Sequence, residues 1–201
     1  MAVMEGTNNA VELCGSIADK PRFSHIGGSD NYFSFPLDIE RLSGFIDTIN
    51  IIVRQDMLER LEIEDSRHLA VTGELRSFNN KRGDGSRLVI SVFAKELFFT
   101  DDEDKNSVLL TGAVCKKPNL RKTPMGRQIC DIMLAVNRRY GRSDYLPCIA
   151  WGRLAESASE LKIGDTISLE GRIQSRKYIK TENGVITERT AFEVSSVTIT
   201  T

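Results

Sequence analysis

The chain repeats itself once, with a period close to 100 residues, and few folds accommodate that. Val11-Glu12-Leu13-Cys14-Gly15 with Lys20-Pro21 recurs 97 positions later as Val108-Leu109-Leu110-Thr111-Gly112 with Lys117-Pro118. Val71-Thr72-Gly73-Glu74-Leu75-Arg76-Ser77 recurs 98 positions later as Leu169-Glu170-Gly171-Arg172-Ile173-Gln174-Ser175. A unit of this length is too long for a solenoid repeat and suits two tandem copies of a small domain. Charge follows the same division. Residues 1–104 carry 11 Lys and Arg against 19 Asp and Glu, and residues 105–201 carry 16 against 9, so an overall −1 hides halves of −8 and +7. The change falls at Asp101-Asp102-Glu103-Asp104-Lys105, a run without apolar residues that reads as a solvated linker. The expected organisation is a flexible amino terminus at 1–7, an acidic domain at 8–100, a linker at 101–105 and a basic domain at 106–201.

Within the second copy, apolar residues alternate along Val108, Leu110, Gly112 and Val114, along Cys130, Ile132, Leu134 and Val136, and along Leu146, Cys148 and Ala150. They alternate again along Ile167, Leu169, Gly171 and Ile173 and at Phe192 and Val194. Period two predicts half-buried strands, five of them. Between the third and fourth, residues 153–162 space Leu154, Ala158 and Leu161 at helical intervals, and Gly164 follows where a helix stops. The first copy gives the same order, with Met57, Leu58 and Leu61 on its helix. The expected fold class is all-β: two tandem OB-folds, each a five-stranded Greek-key barrel with a short helix between strands three and four.

Composition narrows the function. The longest apolar runs are about five residues against the ~20 that span a bilayer, and the polar, acidic start lacks the pattern of a secretory signal, so a cytoplasmic protein is expected. Four cysteines without a Cys-x-x-Cys pair and only two histidines leave no basis for a metal site, and no cofactor is expected. A phosphate loop, a nucleophile elbow and a metalloprotease helix are all absent, the Glu62/Glu64 pair sits at a helix exit where solvated charge is usual, and an enzyme is not expected.

A basic domain of this kind is a candidate polyanion binder. Its cations cluster at Lys116, Lys117, Arg121 and Lys122, at Arg138, Arg139 and Arg142, and from Arg172 through Arg176 and Lys177 to Lys180. Tyr140 closes the second strand, Tyr145 opens the third, Trp151 ends it, and Tyr178 precedes the turn signal Glu182-Asn183-Gly184. Each ring stands beside Arg or Lys, with Asp144 as the acidic neighbour. Single-stranded nucleic acid needs this mixture, because cations track phosphates while flat rings stack on bases for about 1–3 kcal/mol each. Any one of these aromatics could instead be an amphipathic residue at the core edge.

The stretches "NSVLLTGAVCKKP", "LAVNRRY", "SDYLPCIAWGRLAE", "LKIGDTISLEGRIQSRKY" and "FEVSSVTI" resemble, in order and spacing, the OB domain of bacterial single-stranded DNA-binding proteins. The resemblance covers residues 106–199. It implies stacking on Tyr140, Tyr145, Trp151 and Tyr178. It also implies phosphate contacts at Arg138, Arg139, Arg153, Arg172, Arg176 and Lys177, to which the loop cations Lys116, Lys117, Arg121 and Lys122 are added. Members of the family often continue into a tail with an acidic tip that docks repair and replication enzymes. The sequence given ends at Thr201, so docking through such a tip is not expected of it.

Aligning the copies on their shared glycines puts Leu42 or Ser43 opposite Tyr140, Asp47 opposite Tyr145, Val53 opposite Trp151 and Asn80 opposite Tyr178. The first copy lacks all four rings, carries −8, and is expected to be structural or dimerising. A basic patch of Arg76, Lys81, Arg82 and Arg87 with Phe78, Phe23 and Phe33 is a subsidiary expectation for it. The resemblance extends to members with two OB domains per chain that pair as dimers, which implies a homodimer with four OB-folds. The expected function is sequence-independent binding and protection of single-stranded DNA in replication, repair or recombination, associated with the nucleoid. Alternatives are an accessory OB protein of the primosomal type acting through protein contacts, or single-stranded RNA binding.

Overall fold

The period-two segments are strands in the computed structural model of the chain. It describes residues 7–61, 68–80, 88–182 and 185–201, with backbone alone at Tyr140 and at 177–189. The chain divides into two compact units, one of Val11–Arg76 with Ile90–Ser107 and one of Met1–Ala10, Ser77–Val89 and Val108–Thr201. This division departs from a split at 101–105: residues 7–10, 77–80, 88 and 89 cluster with the basic unit, and 101–107 with the acidic one.

The acidic unit is built from β1 (Asn9–Ile17), β2 (Arg22–Gly27), β3 (Asp30–Glu40), β4 (Ile46–Arg54), α1 (Gln55–Glu59), β5 (His68–Asn79) and β6 (Leu88–Thr100). Neighbours run β2-β3-β4-β6-β5-β1, and a β1–β3 pairing at Ser16/Asp38 and Ile17/Leu37 closes the sheet on itself. Phe35, Leu37, Ile49, Ile51, Leu69, Val71, Leu75 and Val92 fill the interior. Residues 101–104 are not a free linker. The Asp104 Oδ2 accepts the Glu40 N–H at 2.5 Å, and the His68 imidazole lies 3.0 Å from the Asp102 carbonyl and 3.1 Å from Asp104. Lys105 pairs with Glu12 at 2.5 Å.

The basic unit contains β7 (Lys105–Val114), β8 (Asn119–Lys122), β9 (Gln128–Asn137), a 3-10 turn (Arg139–Gly141), β10 (Ser143–Trp151), α2 (Arg153–Ser159), β11 (Thr166–Glu182) and β12 (Val185–Thr200). Its order, β7-β11-β12-β10-β9-β8 with β7–β9 closing, repeats that of the acidic unit, including one parallel pairing of the third and last barrel strands. The core is Val108, Leu110, Ile132, Leu134, Leu146, Cys148, Ile167, Leu169, Ile173 and Val194, with Ala155 and Ala158 of α2 against it.

The glycines that anchor the repeat have one physical role. A Cβ on Gly112 would collide with the Ala135 carbonyl where β7 crosses β9, and one on Gly171 with the Ser195 carbonyl of β12. Gly15 and Gly73 face the Asp38 and Phe93 carbonyls in the same way. Two short strands went undetected in the sequence: β8 is exposed at all four residues, and β2 at nearly every one, so neither leaves an alternation. The first-copy helix is shorter than expected, and Leu61 lies beyond it. Cys14, Cys130 and Cys148 are buried and Cys115 half-buried, all as free thiols, and burial pushes each thiol pKa up. Among the described residues no helix is long and apolar enough to cross a membrane, and no group of three His, Cys, Asp or Glu is placed to hold a metal ion.

Candidate nucleic-acid interface

Register fixes which side chains share the outer face of the basic barrel. On β10, Leu146, Cys148 and Ala150 point into the core, so Tyr145, Pro147, Ile149 and Trp151 take the other face. They stand opposite Ala135, Met133, Asp131 and Ile129 of β9. Tyr145 is 53% exposed and Trp151 38%, and six residues of strand separate them by about 20 Å. One row of the ladder crosses five strands as Asn119, Asp131, Ile149, Ser195 and Arg172. Arg121 adjoins Ile129 in the row of Trp151, and Gln174 faces Glu193 between β11 and β12.

Beside Trp151 is an open recess of about 430 Å³, lined by Lys122, Gly126, Arg127, Gln128 and Gly152. The β8–β9 hairpin that forms it is locally determined: Gly126 takes a φ of +78° and donates to the Thr123 carbonyl at 2.8 Å, and Thr123 donates to the Arg127 carbonyl at 2.8 Å. Arg127 was not among the expected phosphate ligands. Its signal was the Thr123-Pro124-Met125-Gly126 turn, which places it on the same hairpin as Lys122.

The expected cations divide into groups. Lys116, Lys117, Lys122, Arg139, Arg153 and Arg172 are exposed. Arg121 is held bidentately by Asp131 at 2.6 and 2.9 Å, and Arg176 lies 3.6 Å from Glu193. Arg138 departs most from expectation. Its guanidinium grips the wholly buried Asp144, with Nε donating to Oδ2 at 2.5 Å, and its charge is committed to that carboxylate. Asp144 also accepts the Ser77 N–H at 2.6 Å, and the Ser77 hydroxyl oxygen accepts the Tyr145 N–H at 2.8 Å. Asp144 is therefore a support beneath the face. The carboxylates on the face itself are Asp131 and Glu193, which the sequence did not single out. Burial would raise the Asp131 carboxyl, but Arg121, Asn119 and Arg176 outweigh it and hold it below the usual range. The side chains of Tyr140, Lys177, Tyr178 and Lys180, and the turn at Asn183-Gly184, lie outside the described residues.

The acidic unit repeats the support with Arg41 and Asp47, at 2.5 and 2.6 Å. Asp47 thus corresponds to Asp144, which puts Thr48 opposite Tyr145 and Arg54, the last residue of β4, opposite Trp151. The expected rings are absent at those places, but others are present. His25 stacks on Tyr32 at 4.9 Å with planes 6° apart, and Phe93 lies 5.9 Å from Tyr32. Arg54, Arg76 and Lys95 line a recess of about 350 Å³ beside them, where Glu74 pairs with both Arg76 and Lys95. Phe23 and Phe78 are exposed, and Phe23 meets Phe33 edge to face at 6.0 Å. Lys81, Arg82 and Arg87 of the subsidiary patch lie outside the described residues.

Residues 105–200 match the sequence profile of the Single-strand binding protein family. The similarity to that family is carried by this half of the chain. Among relatives of the family segment, Single-stranded DNA-binding protein 2 of Listeria innocua is 39% identical over 80 residues, covering 36% of this chain and 50% of that protein. Single-stranded DNA-binding protein A of Bacillus subtilis is 39% identical over 80 residues, covering 36% of this chain and 46% of that protein. The chain thus spans about half the length of the curated relatives it matches. The crystal structure of the single-stranded DNA binding protein from Thermus aquaticus is similar over 96% of this chain and 91% of its own, with a TM-score of 0.77 and 23% identity, a likeness of fold.

Proposed function

We propose that the chain binds single-stranded DNA without sequence preference, through the outer face of its basic OB-fold. The observation that carries this is the exposure of Tyr145 and Trp151 on one face of β10, bordered by exposed Lys122, Arg127, Arg153 and Arg172, within the family segment. Bases stack on the rings and the cations neutralise phosphates, releasing condensed counterions. Tyr140 and Tyr178 extend the platform in this proposal, and Lys116, Lys117, Arg139 and Lys177 the cationic border. The role is binding and protection rather than catalysis, in cytoplasmic DNA replication, repair or recombination. The acidic unit, whose strand order matches, is a second OB-fold with a structural or dimerising role.

Trp151 is the only tryptophan, so its fluorescence reports on the platform. A thymidine homopolymer is expected to quench it, with log affinity falling by about 0.7 per phosphate contact against log salt, while a duplex of equal length binds poorly. Trp151→Ala, followed by anisotropy of a labelled oligonucleotide, is expected to lose about 1–3 kcal/mol. Equal affinity for duplex and single strand removes the stacking mechanism. No binding at low salt leaves the face to a protein partner, and a preference for a ribose homopolymer points to RNA.

A further inference from the structure

Two carboxylates stand on a face that is to receive a polyanion, and their sign is wrong for that task. A carboxylate a few ångströms from a phosphate repels it, and the repulsion grows as the pair is desolvated. Asp131 lies in the ladder row between Asn119 and Ile149, one row from Trp151, and Glu193 stands opposite Gln174 on β12. Neither needs this position to hold the core, which is on the other side of both strands. Exposed pairs such as Arg121–Asp131 contribute about 0–1 kcal/mol to stability. Glu193 is only 7% exposed and so carries a desolvation cost, relieved by the Gln174 amide at 3.2 Å and by Arg176.

What the two carboxylates do have in common is their partners. Asp131 holds Arg121 bidentately, with Asn119 at 3.3 Å on the same oxygen as the Arg121 Nε, and it also feels the charge of Arg176. Glu193 holds Arg176 and feels Arg121. Two ion pairs, one across β8 and β9 and one across β11 and β12, therefore flank β10 on the outer face. A guanidinium has five N–H donors in a rigid fork, and a carboxylate and a phosphate compete for the same paired donors.

We propose that Asp131 and Glu193 are internal competitors for the phosphate chain: they keep Arg121 and Arg176 extended and neutralised in the free protein, and DNA must displace them to use those cations. The proposal rests on the single-stranded DNA reading above. Its consequence is a binding face that is weaker and less salt-sensitive than its cation count implies, because an arginine that stays on its carboxylate neutralises no phosphate and so releases no counterion from the strand. The carboxylates set how readily the face lets a strand go.

Asp131→Asn and Glu193→Gln keep the size while removing the charge, and the first also replaces one of the two oxygens that grip Arg121 by an NH2 group. Each is expected to steepen the log affinity against log salt line for a thymidine homopolymer by about 0.7, which at 0.1 M salt is roughly a fivefold gain in affinity. Adding Arg121→Gln to Asp131→Asn is expected to return the slope to the wild-type value. Glu156→Gln, on an exposed position of α2, changes net charge equally and leaves the slope alone. Thermal melts of each variant show whether it is folded, and the two sites test the idea independently. Folded variants with an unchanged slope, or with weaker binding, overturn the proposal and make the carboxylates simple supports. A wild-type protein that fails to bind the homopolymer at low salt removes the parent reading and this proposal with it.

Discussion

Arg138 and Arg121 look alike in the sequence and do different work in the structure. Arg138 covers a carboxylate that is wholly buried, so removing it takes the guanidinium from Asp144 while the Ser77 donors stay in place. Arg138→Met is expected to destabilise the protein by about 2–3 kcal/mol in urea unfolding, toward the low end for breaking a buried pair, and to leave the salt slope of binding nearly unchanged. Unchanged stability with a shallower slope would instead make it a phosphate ligand. The sequence did carry a signal for this role: Arg and Asp recur six residues apart at 41 and 47 and at 138 and 144, once per copy. Charge counting alone missed it, because a count of cations says nothing of what each one faces. Asp131 and Glu193 were missed for the converse reason. Both sit in strands whose alternation marks the core, so their outward neighbours drew no notice.

At the scale of strands, the sequence was legible wherever one face is buried and the other is not. All five alternating segments of the basic copy are strands, and the helix between the third and fourth is in place. β2 and β8 escaped because they hang on the barrel by a single hairpin partner each, with no buried face to impose a period. The repeat glycines were legible as landmarks, while their cause, a carbonyl of a crossing strand within contact of the absent Cβ, is a property of the closed sheet. Gly112→Ala is therefore expected to cost about 3 kcal/mol or more, since the Ala135 backbone must move. Gly126→Ala, with a φ of +78° and open space around it, is expected to cost about 1–2 kcal/mol of strain alone. Chemical denaturation of the two variants checks the difference, and equal losses would sink the close-approach explanation.

For the whole molecule, a balance of −1 conceals −8 and +7, and the roles proposed for the two copies follow that division of charge. The acidic copy has its own rings, His25, Tyr32 and Phe93, but Arg76 and Lys95 beside them share Glu74. That balance of charge suits assembly better than polyanion binding. Sedimentation at micromolar concentration is expected to show a homodimer, so that two chains supply four OB-folds, and a monomer there removes the assembly proposal. The family segment was recognisable from its motifs. The structural role of residues 101–104 was not, because four consecutive acidic residues and an unstructured connection look the same until His68 and the Glu40 amide are placed against them.

Both barrels join strands that are far apart in the chain: Val11 meets Gly73, Ile51 meets Val92, Gly112 meets Ile167, and Cys148 meets Val194. Neither can close until its last strand has been made, yet once complete such a topology forms in milliseconds to seconds. The acidic unit has all its strands by Ser107, and the ribosome needs about 5–20 s to add residues 108–201. The first barrel therefore has time to close, with its histidine clasp set, before the second has more than its opening strand in solution. A chain in synthesis is then expected to carry one finished domain beside one still emerging, an order that disfavours exchange of strands between the two similar sequences.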